Sequence, residues 1–187
     1  MRRIGLYLLL SLPACLNATP VDYRIDPVTS QATFEVRALW LDSVDGHFTQ
    51  VIGDVVPGPH PGSWVVDATI AVDSVTMSST HLRQWVLGVP FFDAGHHPVI
   101  HFVSNPIAQV QLDQGGTLTG YLTLRGVTAP IQFTVWPVHC ERFEVTPCRI
   151  MLSGHLHRST FGMNSDRLAL SDRVDLNLSI TLQRESR

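Results

Sequence analysis

Apolar and polar residues alternate with a period of two along much of the chain. In the stretch Thr33 to Arg37, Phe34 and Val36 fall on one face. Trp64, Val66, Ala68, Ile70 and Val72 form a second set, against Asp67, Thr69 and Asp73. Gly120, Leu122 and Leu124 oppose Thr119, Tyr121, Thr123 and Arg125, and Ile131, Phe133 and Val135 oppose Gln132 and Thr134. Near the end, Val174, Leu176, Leu178, Ile180 and Leu182 oppose Arg173, Asp175, Asn177, Ser179 and Thr181. Alternation of this kind predicts half-buried antiparallel strands.

Turn residues separate the runs. Pro57-Gly58-Pro59 and Pro61-Gly62 break one pair, Gly115-Gly116 a second, and Gly126-Val127-Thr128-Ala129-Pro130 is expected to divide two more. The convincing helical stretch is Ser79 to Leu87, with Ser78 or Ser79 as cap and Leu82, Trp85 and Val86 turned inward. About eight strands with one apolar face close into a barrel or stack as two sheets, and the pattern does not choose between them.

Length and composition narrow the class. The 187 residues suit one domain with a sizeable core. Apolar residues make up 44% and charged residues only 16%, so the chain is globular and offers little to an electrostatic partner. The formal net charge is −3, and without Arg2 and Arg3 the 11 remaining basic residues face 16 acidic ones, near −5. No nucleic-acid partner is expected, because that requires a clustered basic surface.

The N-terminus reads as an export signal. Arg2 and Arg3 precede the apolar run Ile4 to Leu12, which is too short for a permanent span. Leu12-Pro13-Ala14-Cys15 resembles a lipobox, in which Cys15 would be lipidated and anchor the protein to a membrane. Cleavage after Ala18 is the competing reading. Residues 1–18 are therefore expected to be a signal peptide and 19–187 a single domain, destined for the periplasm or for secretion. Cys140 and Cys148 have seven residues between them. In an oxidising compartment their bond would close a short hairpin loop and contribute roughly 2–3 kcal/mol. Two unrelated thiols are the alternative, and a free-thiol count separates the two.

No nucleophile elbow, Gly-rich phosphate loop or framed carboxylate pair is present, so no catalytic residue is expected. Of the nine histidines, His155 and His157 share one strand face, and His96 and His97 sit in a turn near His101. Two histidines without a third ligand make a weak metal site, and none is assigned. A metal- or haem-associated periplasmic stress protein using surface histidines remains the alternative function.

More specific phrases occur in order: Tyr23-Arg24-Ile25-Asp26-Pro27, Phe34-Glu35-Val36-Arg37 after Ser30, Gly46-His47-Phe48-Thr49, Phe91-Phe92-Asp93 and His97 to Ser104. Gly120 to Pro130 and Arg158-Ser159-Thr160-Phe161-Gly162-Met163 follow. As an ordered set over residues 21–183, they resemble the YceI-like family. The resemblance implies an all-β fold, a lipocalin-like antiparallel eight-stranded β-barrel with one or two short helices near the mouth of a hydrophobic tunnel. It implies exported proteins that bind polyisoprenoids or other long amphiphiles, with no cofactor and no enzymatic activity. The segment around α-helical Arg83 departs from the family pattern: Gln84 follows Arg83, and Val86-Leu87 replaces a His-Leu pair.

A long-chain apolar lipid is thus the expected partner, with a homodimer left open. The expected tunnel lining is Phe34, Val36, Phe48, Trp64, Val66, Ile70, Phe102, Leu122, Leu124, Phe133, Leu176 and Leu178, with Trp85, Leu87, Phe91 and Phe92 at the mouth. Phe161 and Met163 add an adaptable patch. Arg83 and Arg158 are the candidates for an anionic headgroup. Two or three buried isoprene units would supply roughly 8–12 kcal/mol before costs, at about 0.8 kcal/mol per CH₂.

Overall fold

The computed structural model describes residues 23–39, 43–138 and 148–184. Among them, twelve strands combine into eight staves, several of them broken in the middle. The first stave is β1 (Tyr23–Ile25) continued by β2 (Gln31–Ala38); the second is β3 (Val44–Phe48) with β4 (Val51–Pro57). The third is β5 (Ser63–Ala71), a 3-10 turn (Val72–Ser74) and β6 (Val75–Met77); the fourth is β7 (Val99–Ser104) with β8 (Ile107–Ala108). The rest are continuous: β9 (Gly116–Leu124), β10 (Val127–Val135), β11 (Cys148–His157) and β12 (Leu170–Arg184). Each stave pairs antiparallel with the next in sequence. The last one returns to the first: Leu176 pairs with Phe34 and Leu182 with Ile25. The sheet is therefore a closed meander barrel, which removes the edges an open sheet would expose.

Serines patch the broken staves. Between β1 and β2, Asp26 accepts from the Val28 N–H at 2.9 Å and from the Thr29 hydroxyl at 2.7 Å, turning the chain out of the ladder. The rung lost there is supplied by buried Ser30, whose Oγ accepts the Thr181 N–H at 2.9 Å. Ser104 Oγ accepts the Val66 N–H at 2.8 Å, and Ser74 Oγ accepts the Gln50 N–H at 3.2 Å, at two other breaks. Buried backbone donors are kept paired in this way while the staves bend.

The turn between β9 and β10 is tighter than the sequence suggests. It consists of Arg125 and Gly126 alone, with φ of 53° and 73°, and Leu124 pairs with Val127. Two successive residues with positive φ are the hairpin geometry that matches strand twist, and glycine adopts it freely. Val127 to Pro130 belong to β10. Pro130 fits there because the ladder to β11 begins only at Phe133, so it lies beside an unladdered stretch.

The ends of the barrel differ. Helix α1 (Thr80–Leu87) follows β6 at what we term the upper end, where the Ser79 hydroxyl accepts the N–H groups of His81 and Leu82. A 3-10 turn (Arg158–Phe161) follows β11 at the same end. A second short helix, α2 (Gln109–Asp113), follows β8 at the lower end; no sequence pattern pointed to it. The core is the barrel interior, built from the inward residues of every stave.

Candidate functional site

The interior is not completely filled. A cavity of about 200 Å³, measured by where the centre of a water-sized sphere fits, remains between the inward side chains. One water needs only about 10–15 Å³ on that measure, so the void exceeds ordinary packing defects. It runs from Trp64, Ile107 and Leu112 at the lower end to Trp85, Phe92 and Met163 at the upper end. Lining residues on β12 extend from Leu170 to Leu182, about 40 Å along the strand and about 30 Å along an axis tilted by some 40°.

Six of the partly buried lining residues lie on β5, β7 and β12. Val66, Ala68 and Ile70 of β5, Phe102 of β7, and Leu176 and Leu178 of β12 all border the cavity. They point inward, yet each is only partly buried, unlike neighbours such as Leu122 and Phe133. β5 and β12 lie three staves apart one way round and five the other, so they face each other across the lumen. The small side chain of Ala68 leaves room where a leucine would reach across.

Most of the expected lining is brought together. Phe34, Val36, Phe48, Trp64, Val66, Ile70, Trp85, Phe91, Phe92, Phe102, Leu122, Leu124, Phe133, Met163, Leu176 and Leu178 all border the cavity. Phe34, Phe48 and Phe92 pack as a cluster with ring centroids 5.5–5.8 Å apart, joining the α1 segment to the barrel wall. Two expected residues do not border it. Leu87 ends α1 and is rotated by about 100° from Val86, which does line the lumen. Phe161 is buried in the 3-10 turn, which packs against β10 outside the cavity lining.

The two arginines also behave differently from expectation. Arg83 Nε donates to the Val75 carbonyl at 2.8 Å and its Nη2 to the Asp73 carbonyl, so it ties α1 to the bend before β6 and does not reach the cavity. Arg158 is a lining residue and only 3% exposed. Its guanidinium donates to the carbonyls of Ser171, Met163, Ser165 and Leu170 at 2.6–3.1 Å. Burial lowers the pKa of this guanidinium, and the charges of Asp172 and Asp166 oppose that shift. Asp172 in turn accepts from the Ser159 N–H at 2.9 Å, from the Ser159 hydroxyl at 3.0 Å, and contacts His157 Nδ1 at 3.1 Å. Burial raises the Asp172 carboxyl, but these hydrogen bonds outweigh it and hold it below its ordinary value.

Several lining residues were not singled out from sequence. Val51 and Val55 on β4 were hidden because Ile52 and Val56 put apolar side chains on the outer face as well. Ile150, Leu152 and Leu156 on β11 alternate cleanly except for outward Met151, so period-two counting could have found them. Leu112 sits on the unexpected α2.

Outside the barrel, His155 and His157 lie on the outer face of β11 with ring centroids 6.2 Å apart. Among the described residues, no group of three or more His, Cys, Asp and Glu side chains could hold a metal ion. No described helix is long and apolar enough to cross a membrane. Cys148 is 2% exposed at the head of β11; Cys140, Cys15 and residues 1–18 lie outside the described residues.

Comparison with known proteins agrees with this architecture. The chain is similar in fold to Burkholderia cenocepacia BcnA, with a TM-score of 0.72 and 21% identity over 84% of this chain and 98% of that one. A polyisoprenoid binding domain from Saccharophagus degradans, implicated in plant cell wall breakdown, matches with a TM-score of 0.66 and 14% identity over 87% and 98%. The Campylobacter jejuni YCEI protein matches with a TM-score of 0.61 and 22% identity over 76% and 85%. No curated protein matches the chain. The YceI-like domain model matches residues 23–182, nearly the whole barrel from β1 to the end of the β12 lining, and the chain belongs to that family.

Proposed function

We propose that this protein is a carrier or sequestering protein for a long-chain polyisoprenoid or similar amphiphile, held in the barrel lumen. The observation that carries the reading is an elongated void whose lining is apolar except for Thr33 and Arg158. Such a space stays dry when empty and rewards an apolar chain. The fold shared with a polyisoprenoid binding domain supports the same class of ligand. Binding requires no catalytic group, and the protein acts by holding its ligand.

The proposal extends to the setting. Residues 1–18 direct export to the periplasm or beyond, with cleavage after Ala18 or lipidation at Cys15 deciding whether the domain is released or anchored. Cys148, buried at the start of β11, pairs with Cys140. Mass spectrometry of an organic extract of the purified native protein tests the ligand reading. A co-purifying prenyl or acyl chain at near one per protein supports it. A clean extract, together with no uptake of added chains, rejects it.

A further inference from the structure

The barrel wall is not laddered evenly around its circumference. β9 and β10 pair at nine positions and β11 and β12 at ten, but β10 and β11 pair at only three, from Phe133 opposite Gly154 to Val135 opposite Leu152. The two strands pass close there: a Cβ on Gly154 would stand 2.7 Å from the Phe133 ring and 2.8 Å from the Gln132 carbonyl oxygen. Among the described residues the pairing stops at that point. Continued upward in the same register, Pro130 would face His157, and proline has no N–H to offer. Beyond His157 the chain is held to β12 instead, where Asp172 accepts the Ser159 N–H and hydroxyl. A seam without further paired positions therefore runs from Phe133 to the upper rim.

The 3-10 turn Arg158–Phe161 covers this seam. It leaves the end of β11 and packs against β10. Arg125 Nη1, on the hairpin between β9 and β10, donates to the Gly162 carbonyl at 3.2 Å and latches the turn to the far side. Ala129 and Ile131, the inward residues of β10 beside the seam, are buried yet do not border the cavity. The side chain placed to cover them is Phe161, which is buried and also outside the lining, although Arg158 and Met163 on either side of it line the lumen. Asp172 holds Ser159, and Arg158 holds the Met163 carbonyl, so both feet of the arc are fixed. The part free to swing is Thr160 to Gly162, with Gly162 in the left-handed region as its hinge. Swinging it breaks no strand rung and gives up one exposed hydrogen bond, which makes it a low-cost local opening.

We propose that the seam between β10 and β11 is a side entrance through which a lipid chain reaches the lumen, and that Phe161 is its stopper. This rests on the reading of the lumen as a lipid site. Phe161 does not border the cavity, so it governs passage and not the contacts of a bound chain.

Stopped-flow fluorescence tests the route. Delipidated protein is mixed with pyrene-labelled hexadecanol, and bound label is then chased with excess unlabelled hexadecanol. Phe161→Ala is expected to raise the association and dissociation rate constants together, each about tenfold or more, with Kd changed less than about threefold. Phe161→Leu takes its place if the alanine variant does not fold. Pro130→Val returns an N–H to the seam and should slow both rates. Wild-type rates in the folded Phe161 and Pro130 variants overturn the proposal. So does a rise in the dissociation rate alone, which would make Phe161 part of the binding wall. Either result leaves the lipid reading intact, whereas failure of the wild-type protein to take up the labelled alcohol overturns both.

Discussion

Arg158 Nη1 donates to the Met163 carbonyl at 2.8 Å, and both residues border the lumen. The chain between them therefore folds back on itself at the upper end, with Gly162 at a φ of 75° making the reversal. Arg158→Met would leave four carbonyls without their donor. It is expected to lower stability by about 3 kcal/mol or more, read as a fall in the urea midpoint at unchanged slope. Arg158→Lys keeps the charge but not the planar fork, and should recover only part of the loss.

Ser30 Oγ stands in for a missing rung by accepting the Thr181 N–H, and the two residues are 3% and 4% exposed. Ser30→Ala leaves that buried donor unpaired. The expected cost is about 1–3 kcal/mol in denaturant unfolding, with faster amide exchange at Thr181 than in the wild type.

Asp172 gives the upper end a pH dependence. Its carboxyl is held below the ordinary value of 3.8, so the stability it contributes is present above that pH and is lost as pH falls through its folded-state pKa. Asp172→Ala should lower Tm at pH 7. The difference from wild type should shrink steadily below about pH 4, as the wild-type carboxylate protonates. A gap that stays constant down to pH 2 would mean that the charge plays no part.

Trp64 and Trp85 border the lumen, whereas Trp136 is 57% exposed on the outside. Filling the lumen should therefore change tryptophan emission. In a Trp40→Phe background, Trp136→Phe is expected to keep most of the change, and the double variant Trp64→Phe with Trp85→Phe to lose most of it, in a fluorescence titration with a long-chain alcohol.

The inward faces of β9 and β12 were legible from the alternation of Leu122 and Leu124 with Tyr121 and Thr123, and of Leu176 and Leu178 with Asn177 and Ser179. Alternation reports which way a side chain points, not whether anything meets it. The void beside Ala68 depends on how far opposite staves stand apart, and no local pattern carries that. The resemblance to a family, not the periodicity, supplied the expectation of a tunnel. Arg158 was obscure for a related reason. A buried arginine serving backbone carbonyls looks, in sequence, like any surface arginine. Leu87 and Phe161 were misplaced because each sits in a helical turn, where one residue's shift rotates a side chain away from the lumen.

Ala68 offers the sharpest test of where the ligand sits. It borders the lumen and is only partly buried. Ala68→Trp puts a large side chain into that space without touching the outer surface. With delipidated protein and a radiolabelled long-chain prenol, wild type should bind one equivalent saturably. The variant should bind at least about tenfold more weakly while keeping its circular dichroism spectrum. Equal binding by a folded Ala68→Trp protein would place the ligand outside the barrel and contradict the lumen as its site.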